Sequence, residues 1–562
     1  MNTIFKHKIL AGAMLCGALF VASSCDDADG IKVTPEVPYA DKTLYEVITS
    51  DPELTDFVEV LNSCGEHCAD SLFNKSRVYT LWAPKNGTFD KDAIIAQAQE
   101  DREFVFKSFV KAHIANHLHA ANGKLEKNKI MLLNNKLVEF NGYRSDGEVS
   151  YTFDGVEVDE TNIRVWNGIL HKLSTAAEYK YNAWEYLRIA QDVDSVANYL
   201  YAFDKREFSE SQSILGPIVN GEQTYLDSVF ITTNKLLNVW DGVGLLNNED
   251  SLYTMYVPTN DVWNEVKALA YSHFNYNQLA FPKDLTAEEK DSMRNYYSRI
   301  NVIKYMTYSD NEQMYVEGPD SIMPAWRGES VFTRRAQFPQ KQLEDCVVAT
   351  KEVSNGTFKV VNKFPYNQFE LWHDTIKIEG EDTNFGNTPG AAISVTKDDL
   401  EKDSTLIDTK ISGNAYISCI SKTLGVTLSY KLPDALSASY HLAVVVVPRG
   451  FPLTHATDAK KTQLKMTLNQ LCVEDSTEVT KQLATYQYVT DPTKIDTVYL
   501  ADQDGNPAVI KVPYCEYYGK YKHSPGDYGL QLLLSTPKIS ASYRDPSICI
   551  DEVMLIPVKD AE

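Results

Sequence analysis

The sequence predicts a multidomain α+β protein in which one mixed strand–helix module is used twice and an all-β sandwich follows. Three observations predict it. The segment Val78-Tyr79-Thr80-Leu81-Trp82-Ala83-Pro84-Lys85-Asn86 recurs as Leu252-Tyr253-Thr254-Met255-Tyr256-Val257-Pro258-Thr259-Asn260. Two further anchors flank each copy in the same order, which marks a repeated domain. After Asn384 the pattern changes to short alternating strands separated by turns, with few helix signals.

The chain opens with Lys6 and Lys8 ahead of an apolar run from Ile9 to Ala22, a signal-peptide length and too short for a stable membrane span. Residues 1–24 are therefore expected to be a signal peptide. The stretch Val21-Ala22-Ser23-Ser24-Cys25 resembles the bacterial lipobox, with Ala22 where Leu or Val is usual. That resemblance implies that Cys25 carries the acyl groups, palmitate among them, as the first mature residue. A plain secreted protein with Cys25 in a disulfide is the alternative. Asp26-Asp27 is similar to the export signal of outer-membrane lipoproteins in glycan-foraging Gram-negative bacteria, which implies an anchor facing the extracellular side. Gly30, Pro35 and Pro38 make the rest of 25–38 a flexible tether.

In each repeated module, Tyr-Thr followed by apolar residues favours a buried strand. The proline cannot donate to a sheet ladder and suits a strand end. Asn86 and Asn260 each offer a side-chain oxygen to the first amides of a following helix. Phe89 and Trp263 then pack that turn on the core. Upstream, Tyr45-Glu46-Val47-Ile48 aligns with Trp184-Glu185-Tyr186-Leu187, each opening an amphipathic stretch. Downstream, Asn167-Gly168-Ile169-Leu170-His171-Lys172-Leu173 aligns with Asn355-Gly356-Thr357-Phe358-Lys359-Val360-Val361 as a turn and closing strand.

An early helix, a Tyr-Thr-x-x-x-Pro-x-Asn strand and a late Asn-Gly strand together resemble the fasciclin domain. The resemblance implies that the two strand motifs are neighbours in a compact β-sandwich flanked by helices. It assigns residues 39–180 to a first fasciclin-like domain and 181–383 to a second. The second carries insertions near Phe203–Thr232 and Ser272–Lys290, and has Lys359 where the first has His171. Residues 384–562 are expected to form the C-terminal sandwich. Their last strand, Ile548-Cys549-Ile550-Asp551-Glu552-Val553-Met554-Leu555-Ile556-Pro557-Val558, is similar to the final strand of jelly-roll, carbohydrate-binding-module-like sandwiches, which end on an Ile-Asp-x-Val-x-Leu segment.

Composition narrows the partners. A formal net charge of -23 on 562 residues leaves no basic stripe for phosphates, which argues against nucleic acid and against docking on anionic lipid by charge alone. Nine cysteines are present; setting aside Cys16 and Cys25, the odd remainder is not a disulfide scaffold. Cys64 and Cys68 form a candidate disulfide across Gly65; as a metal or thiol site, Cys64-Gly65-Glu66-His67-Cys68 lacks a second ligand pair.

Other chemistry is sparse. His113 and His117 stand at a spacing that grips metal on a helix, but no third ligand is near, and a structural role is preferred. The family's Tyr-His pair would fall at Ala112-His113, so integrin binding linked to it in animal members does not carry over. Aromatic residues gather at Tyr366–His373, including Trp372, and at Tyr514, Tyr517, Tyr518, Tyr521 and Tyr528. Flat rings stack on sugars, and these are the candidate ligand-binding residues; packing of a domain junction and a sandwich edge is the competing reading. Asp502-Gln503-Asp504-Gly505-Asn506 reads as a calcium loop or an ordinary turn.

No Gly-x-Ser-x-Gly elbow, His-Glu-x-x-His helix or phosphate-cradling glycine loop occurs, so no catalytic residue, resident metal or cofactor is expected. The reading is a non-catalytic outer-membrane lipoprotein serving as a binding or accessory component of a Sus-like (TonB-dependent) nutrient and glycan uptake system. Its expected partners are membrane lipid through the acyl anchor, a Sus-like transporter complex and glycan. A fasciclin-type adhesin and a cryptic glycoside hydrolase are the alternatives.

Overall fold

The computed structural model describes residues 41–65, 77–211, 213–219, 221–227, 230–240, 242–277, 286–310, 321–326, 338–364, 373–382, 392–397, 411–421, 425–447, 461–474, 477–491, 494–517, 529–537 and 546–558. Two compact units result, 1–179 and 180–562. None of the helices among the described residues is long and apolar enough to cross a membrane.

The first unit is a seven-stranded sheet with helices on one side. Helices α1 (Leu44–Ser50) and α2 (Thr55–Ser63) precede strand β1 (Tyr79–Pro84), and α3 (Lys91–Glu100) follows it. Then come β2 (Ile114–Asn116), β3 (Lys127–Met131), β4 (Leu137–Ser145), β5 (Glu148–Phe153), β6 (Val156–Val165) and β7 (Gly168–Leu173), in spatial order β2-β1-β7-β6-β5-β4-β3. The two motif strands lie side by side and parallel, with Tyr79 opposite Gly168 and Pro84 opposite Leu173. Every residue of both is buried. Tyr79, Leu81 and Ala83 join the core formed with α1 and α2. Trp82 points to the other side, into a second core with Phe140, Phe153 and Leu173. A strand apolar on both faces is what a central position demands.

The second unit repeats this centre. Helices α4 (Ala183–Leu187) and α5 (Asp194–Tyr201) are followed by an arm of strands β8 (Asp204–Phe208), β9 (Ile214–Val219), β10 (Glu222–Asp227) and β11 (Phe230–Asn234). Strand β12 (Tyr253–Pro258), α6 (Asn260–Ser272), α7 (Ala287–Ile303), β13 (Thr307–Ser309), the short pair β14 (Ser321–Ile322) and β15 (Phe338–Pro339), β16 (Val347–Val353) and β17 (Gly356–Val361) complete the module. The order β13-β12-β17-β16 matches β2-β1-β7-β6, and Tyr253 opposite Gly356 reproduces the register of the first copy.

The conserved geometry of the two copies explains the motif residues, and it corrects one expectation. Asn86 does not cap the helix after it; α3 is capped by Asp90. Its Oδ1 accepts from Asp56 N at 2.9 Å, at the start of α2, whose own N-cap is the apolar Leu54. Asn260 likewise accepts from Ser195 N at 2.8 Å, at the start of α5, whose N-cap is Val193. The asparagine supplies across space the cap that the local sequence lacks, and so ties strand end to helix start. A second asparagine does the same one element earlier. Asn167 Oδ1 accepts from Leu44 N at 2.7 Å and Asn355 Oδ1 from Ala183 N at 2.8 Å. Thr43–Glu46 and Asn182–Glu185 add reciprocal capping boxes.

The glycine after that second asparagine has its own reason. A Cβ at Gly168 would stand 2.2 Å from Tyr79 O, and one at Gly356 1.9 Å from Tyr253 O. The two parallel strands approach too closely there for any side chain.

The C-terminal sandwich begins before the expected boundary at 384. Strand β18 (Ile376–Glu379) already pairs with the last strand. The remaining strands are β19 (Ala392–Lys397), β20 (Ala415–Ile420), β21 (Thr427–Lys431), β22 (Ser439–Val446), β23 (Gln463–Glu474), β24 (Thr477–Val489), β25 (Asp496–Tyr499), β26 (Ile510–Lys511), β27 (Leu530–Ser535) and β28 (Ile548–Pro557). One sheet runs β19-β20-β28-β22-β25, with β18 beside β28 and β26 beside β22; the other runs β21-β27-β23-β24. All of these pairings are antiparallel, and Leu428, Tyr430, Leu442, Val444, Leu532 and Ile550 fill the space between the sheets.

The second module and the sandwich share a bonded joint. The segment His273–Asn277, within the second expected insertion, leaves α6 and runs into the sandwich. Ser437 N donates to His273 O at 2.9 Å, Asn275 N to Ser437 Oγ at 3.0 Å and Cys515 N to Asn275 O at 2.8 Å. Asn277 Nδ2 donates to Leu471 O at 2.6 Å. His373 packs between His273 and Tyr440, with ring centroids 5.3 and 5.2 Å away.

Candidate functional site

The outer face of the four-stranded sheet β21-β27-β23-β24 is the most developed candidate binding surface. Period-2 alternation sends Leu464, Met466 and Leu468 of β23 and Leu530, Leu532 and Leu534 of β27 inward. Their neighbours point outward, and register sets them in three rows. The first is Thr427, Ser535, Lys465 and Gln487; the second Ser429, Leu533, Thr467 and Thr485; the third Lys431, Gln531, Asn469 and Gln482. All twelve are exposed or half-buried. Hydroxyls, amides and two lysines thus surround one central leucine. Thr467 Oγ1 and Thr485 Oγ1 lie 3.3 Å apart across the strands. Such a surface offers many donors and acceptors at strand spacing, which suits a ligand rich in hydroxyls.

One end of that sheet carries the segment with the candidate tyrosines. Gln470, fully buried on β23, donates from Nε2 to Tyr514 O at 2.9 Å and to Glu516 Oε1 at 2.5 Å. Leu471 N donates to Gly529 O at 3.5 Å. Glu516 and Gly529 thus both sit at this end of β23. Tyr514 is half-buried there. Tyr517 turns towards the joint: its ring lies edge-on to Phe274 and Tyr297 at 5.8 and 5.7 Å, and its carbonyl accepts from Tyr276 Oη at 2.8 Å. It packs the junction between module and sandwich. Tyr518, Tyr521, Tyr528 and Trp372 lie outside the described residues, as do Cys25 and Cys68. Cys64 is buried at the end of α2.

The histidine pair separates. His113 ends a 3-10 turn, Lys111–His113, and is fully buried, whereas His117 lies beyond β2 in a left-handed conformation with φ of 70°. No helix spans the two, so their spacing has no metal-gripping geometry. The 502–506 segment is a turn: Asp502 Oδ1 accepts from both Asp504 N and Asn506 N at 2.9 Å. Among the described residues no group of three or more His, Cys, Asp or Glu is arranged to hold a metal ion.

Position His171 of the first module and its counterpart Lys359 solve one problem differently. His171 stacks on Trp82 with centroids 5.6 Å apart. Lys359 instead pairs with Glu344 at 2.5 Å, and Tyr256, in the place of Trp82, donates to the same carboxylate at 2.6 Å. Both arrangements are interior supports for the strand pair and not open sites. On β28, burial and the carboxylates of Glu379, Glu552 and Glu381 push the Asp551 carboxyl up to about 7, against two acceptor contacts from Ser412 N that oppose the shift.

No family model and no curated protein matches the chain. Among solved structures, the chain is similar to a FAS1 domain pair from the insect cell adhesion molecule fasciclin I, at 13% identity and a TM-score of 0.22, over 57% of this chain and 98% of that one. It is also similar to the CBM22-2 xylan-binding domain of Paenibacillus barcinonensis Xyn10C, at 13% identity and 0.20, over 32% and 98%. A family 35 carbohydrate-binding module from Clostridium thermocellum matches at 12% identity and 0.18, over 33% and 99%. At these scores none of them assigns an activity to the chain.

Proposed function

We propose that this chain is a non-catalytic binding protein whose sandwich holds a saccharide on the β21-β27-β23-β24 face. The observation that carries the reading is the three-row surface of hydroxyls, amides and lysines around Leu533. Its side chains are spaced like a pleated grid, so a chain of sugar rings lying across the strands meets a donor or acceptor at each step. Tyr514, whose carbonyl accepts from Gln470 at the end of β23, and the tyrosines that follow it in sequence are the proposed source of a ring to stack on the sugar. Titration of the full chain against a panel of neutral and uronic-acid polysaccharides tests this. At least one should bind, and the double variant Asn469→Ala/Gln531→Ala should weaken it about tenfold or more, because two side chains that would bond ligand hydroxyls are removed. Absence of binding to every polysaccharide would overturn the reading, and release of sugar products would replace it with catalysis.

The N-terminal sequence supports a setting for that activity: a cell-surface outer-membrane lipoprotein anchored through Cys25, with two fasciclin-like modules in the chain, serving a Sus-like uptake system. Cells fed labelled palmitate should label the wild-type chain and not Cys25→Ala. Purification from outer membranes should bring a transporter with it. An unlabelled wild-type chain, or one that purifies without any transporter, would remove this setting while leaving the binding face to its own test.

A further inference from the structure

Among the described residues the arm β8–β11 has no counterpart in the first module, whose β1-β7 centre has the same register. It consists of two ribbons, β8 with β11 and β9 with β10. Isolated two-stranded ribbons are marginal in water. Yet this one exposes Phe208, Leu215, Ile218, Val219 and Phe230 by 41–70%. Phe208 contacts Tyr225 and Phe230, at centroid distances of 4.7 and 5.7 Å, so the apolar residues of the two ribbons are continuous. Contiguous exposed apolar surface marks an interaction site.

We propose that this arm is a dimerisation element that pairs with the same arm of a second copy of the chain, β8 against β8, antiparallel about Arg206. Strand β8 reads Asp204-Lys205-Arg206-Glu207-Phe208. Antiparallel pairing of that strand with itself about its centre places Lys205 opposite Glu207 twice, a self-complementary charge register of the kind a two-fold interface requires. Among the described strands β8 pairs with β11 alone, and the proposed self-pairing uses its other edge. On β11 the residues opposite Lys205 and Glu207 are the uncharged Thr233 and Ile231. Each Arg206 guanidinium lies over the Phe230 ring of its own ribbon at 5.0 Å. Net charge of -23 opposes any like-copy encounter. At physiological salt, however, exposed charges are screened beyond about 8 Å, so the local register decides.

Sedimentation equilibrium of the full chain in physiological salt tests the pairing. The expected result is a reversible dimer in the micromolar range. Lys205→Glu should weaken it about tenfold by placing like charges opposite each other at both sites, and Lys205→Glu/Glu207→Lys should restore it to within about threefold. Leu215→Ser/Ile218→Ser should also weaken it, with an unchanged circular dichroism spectrum confirming that the arm variants fold. A wild-type chain that is monomeric at about 100 µM overturns the proposal. So does a dimer that is indifferent to Lys205→Glu, or one that the double swap fails to restore.

Discussion

Lowering the pH from 7 to about 4 should destabilise the first unit by several kcal/mol. Two buried histidines set this up by geometry. His113 Nδ1 lies 2.7 Å from Phe109 O, while its Nε2 accepts from Ala177 N at 3.1 Å. His171 Nε2 lies 3.0 Å from His119 O, while its Nδ1 accepts from Asn162 N at 3.3 Å. Each ring therefore donates once and accepts once from backbone, which only the neutral form can do. A second proton would oppose a backbone N–H. The surroundings give no relief: His113 sits among Phe57, Phe109 and Phe153, and His171 among Trp82, Phe140 and the neighbouring His119, itself held low by burial.

Burial pushes both groups down to about 4 from an ordinary value near 6.5. In that window the unfolded chain binds the protons and the folded unit does not. Stability is thus full above pH 6.5 and is lost as the pH falls towards 4, by about 3 kcal/mol for each ring. Twice that is comparable with the ~5–15 kcal/mol that holds a typical domain. Asp551, in the second unit, has the opposite sign: its raised carboxyl takes up a proton more readily when folded, so acid favours that unit at this position. Thermal unfolding followed by hydrogen exchange mass spectrometry would resolve the two units. A first-unit midpoint that does not move between pH 7 and 4.5 would refute the argument, and His113→Gln should remove about half of the movement.

Gly168→Ala should destabilise the first unit, and Gly356→Ala the second, each by about 2–4 kcal/mol. A methyl at Gly168 meets Tyr79 O at 2.2 Å and Leu44 Cδ1 at 2.7 Å; at Gly356 it meets Tyr253 O at 1.9 Å, and the backbone there also has φ of +133°. Relief requires the parallel strands to separate at the point where Tyr79 N donates to Asn167 O at 3.1 Å, or Tyr253 N to Asn355 O at 3.0 Å. Separation also pulls Asn167 or Asn355 away from the helix amide that it caps. Loss is confined to one unit in each variant, since the two units fold around separate cores. Denaturant titration of the two variants gives the check; an alanine at either site that costs less than about 1 kcal/mol would show that the close approach is not obligatory.

Much of the architecture was legible because it rests on local pattern. Tyr-Thr-x-x-x-Pro reads as a buried strand with its stop, and the observed Tyr79–Pro84 and Tyr253–Pro258 end at that proline. The closing strand, read to begin at Ile548, is observed at Ile548–Pro557. What the sequence concealed were the relations across space. Asn86 and Asn260 look like caps for the next helix, and nothing local reveals that they serve the previous one. The joint at His273–Asn277 is a polar insertion until its partners Ser437, Leu471 and Cys515 are known. The polar sheet face was within reach: Lys465, Thr467 and Asn469 alternate with Leu464, Met466 and Leu468. Tyrosine, the stronger stacking signal, does not mark this face: Tyr486 and Tyr488 on the adjacent strand pack towards the core.

The parallel strand pair at the centre of each module has a consequence for how the chain acquires its structure. Tyr79 must find Gly168 and Tyr253 must find Gly356, partners 89 and 103 positions apart. Closing loops of that length costs entropy before any contact returns it, so both modules belong to the slow-folding class of topologies. During synthesis neither centre can close until its last strand has emerged, and until then β1 and β12 each present an unpaired backbone edge flanked by apolar side chains. A chain of this design needs either a chaperone or fast completion of each module to keep those strands from pairing with the wrong copy of the same motif.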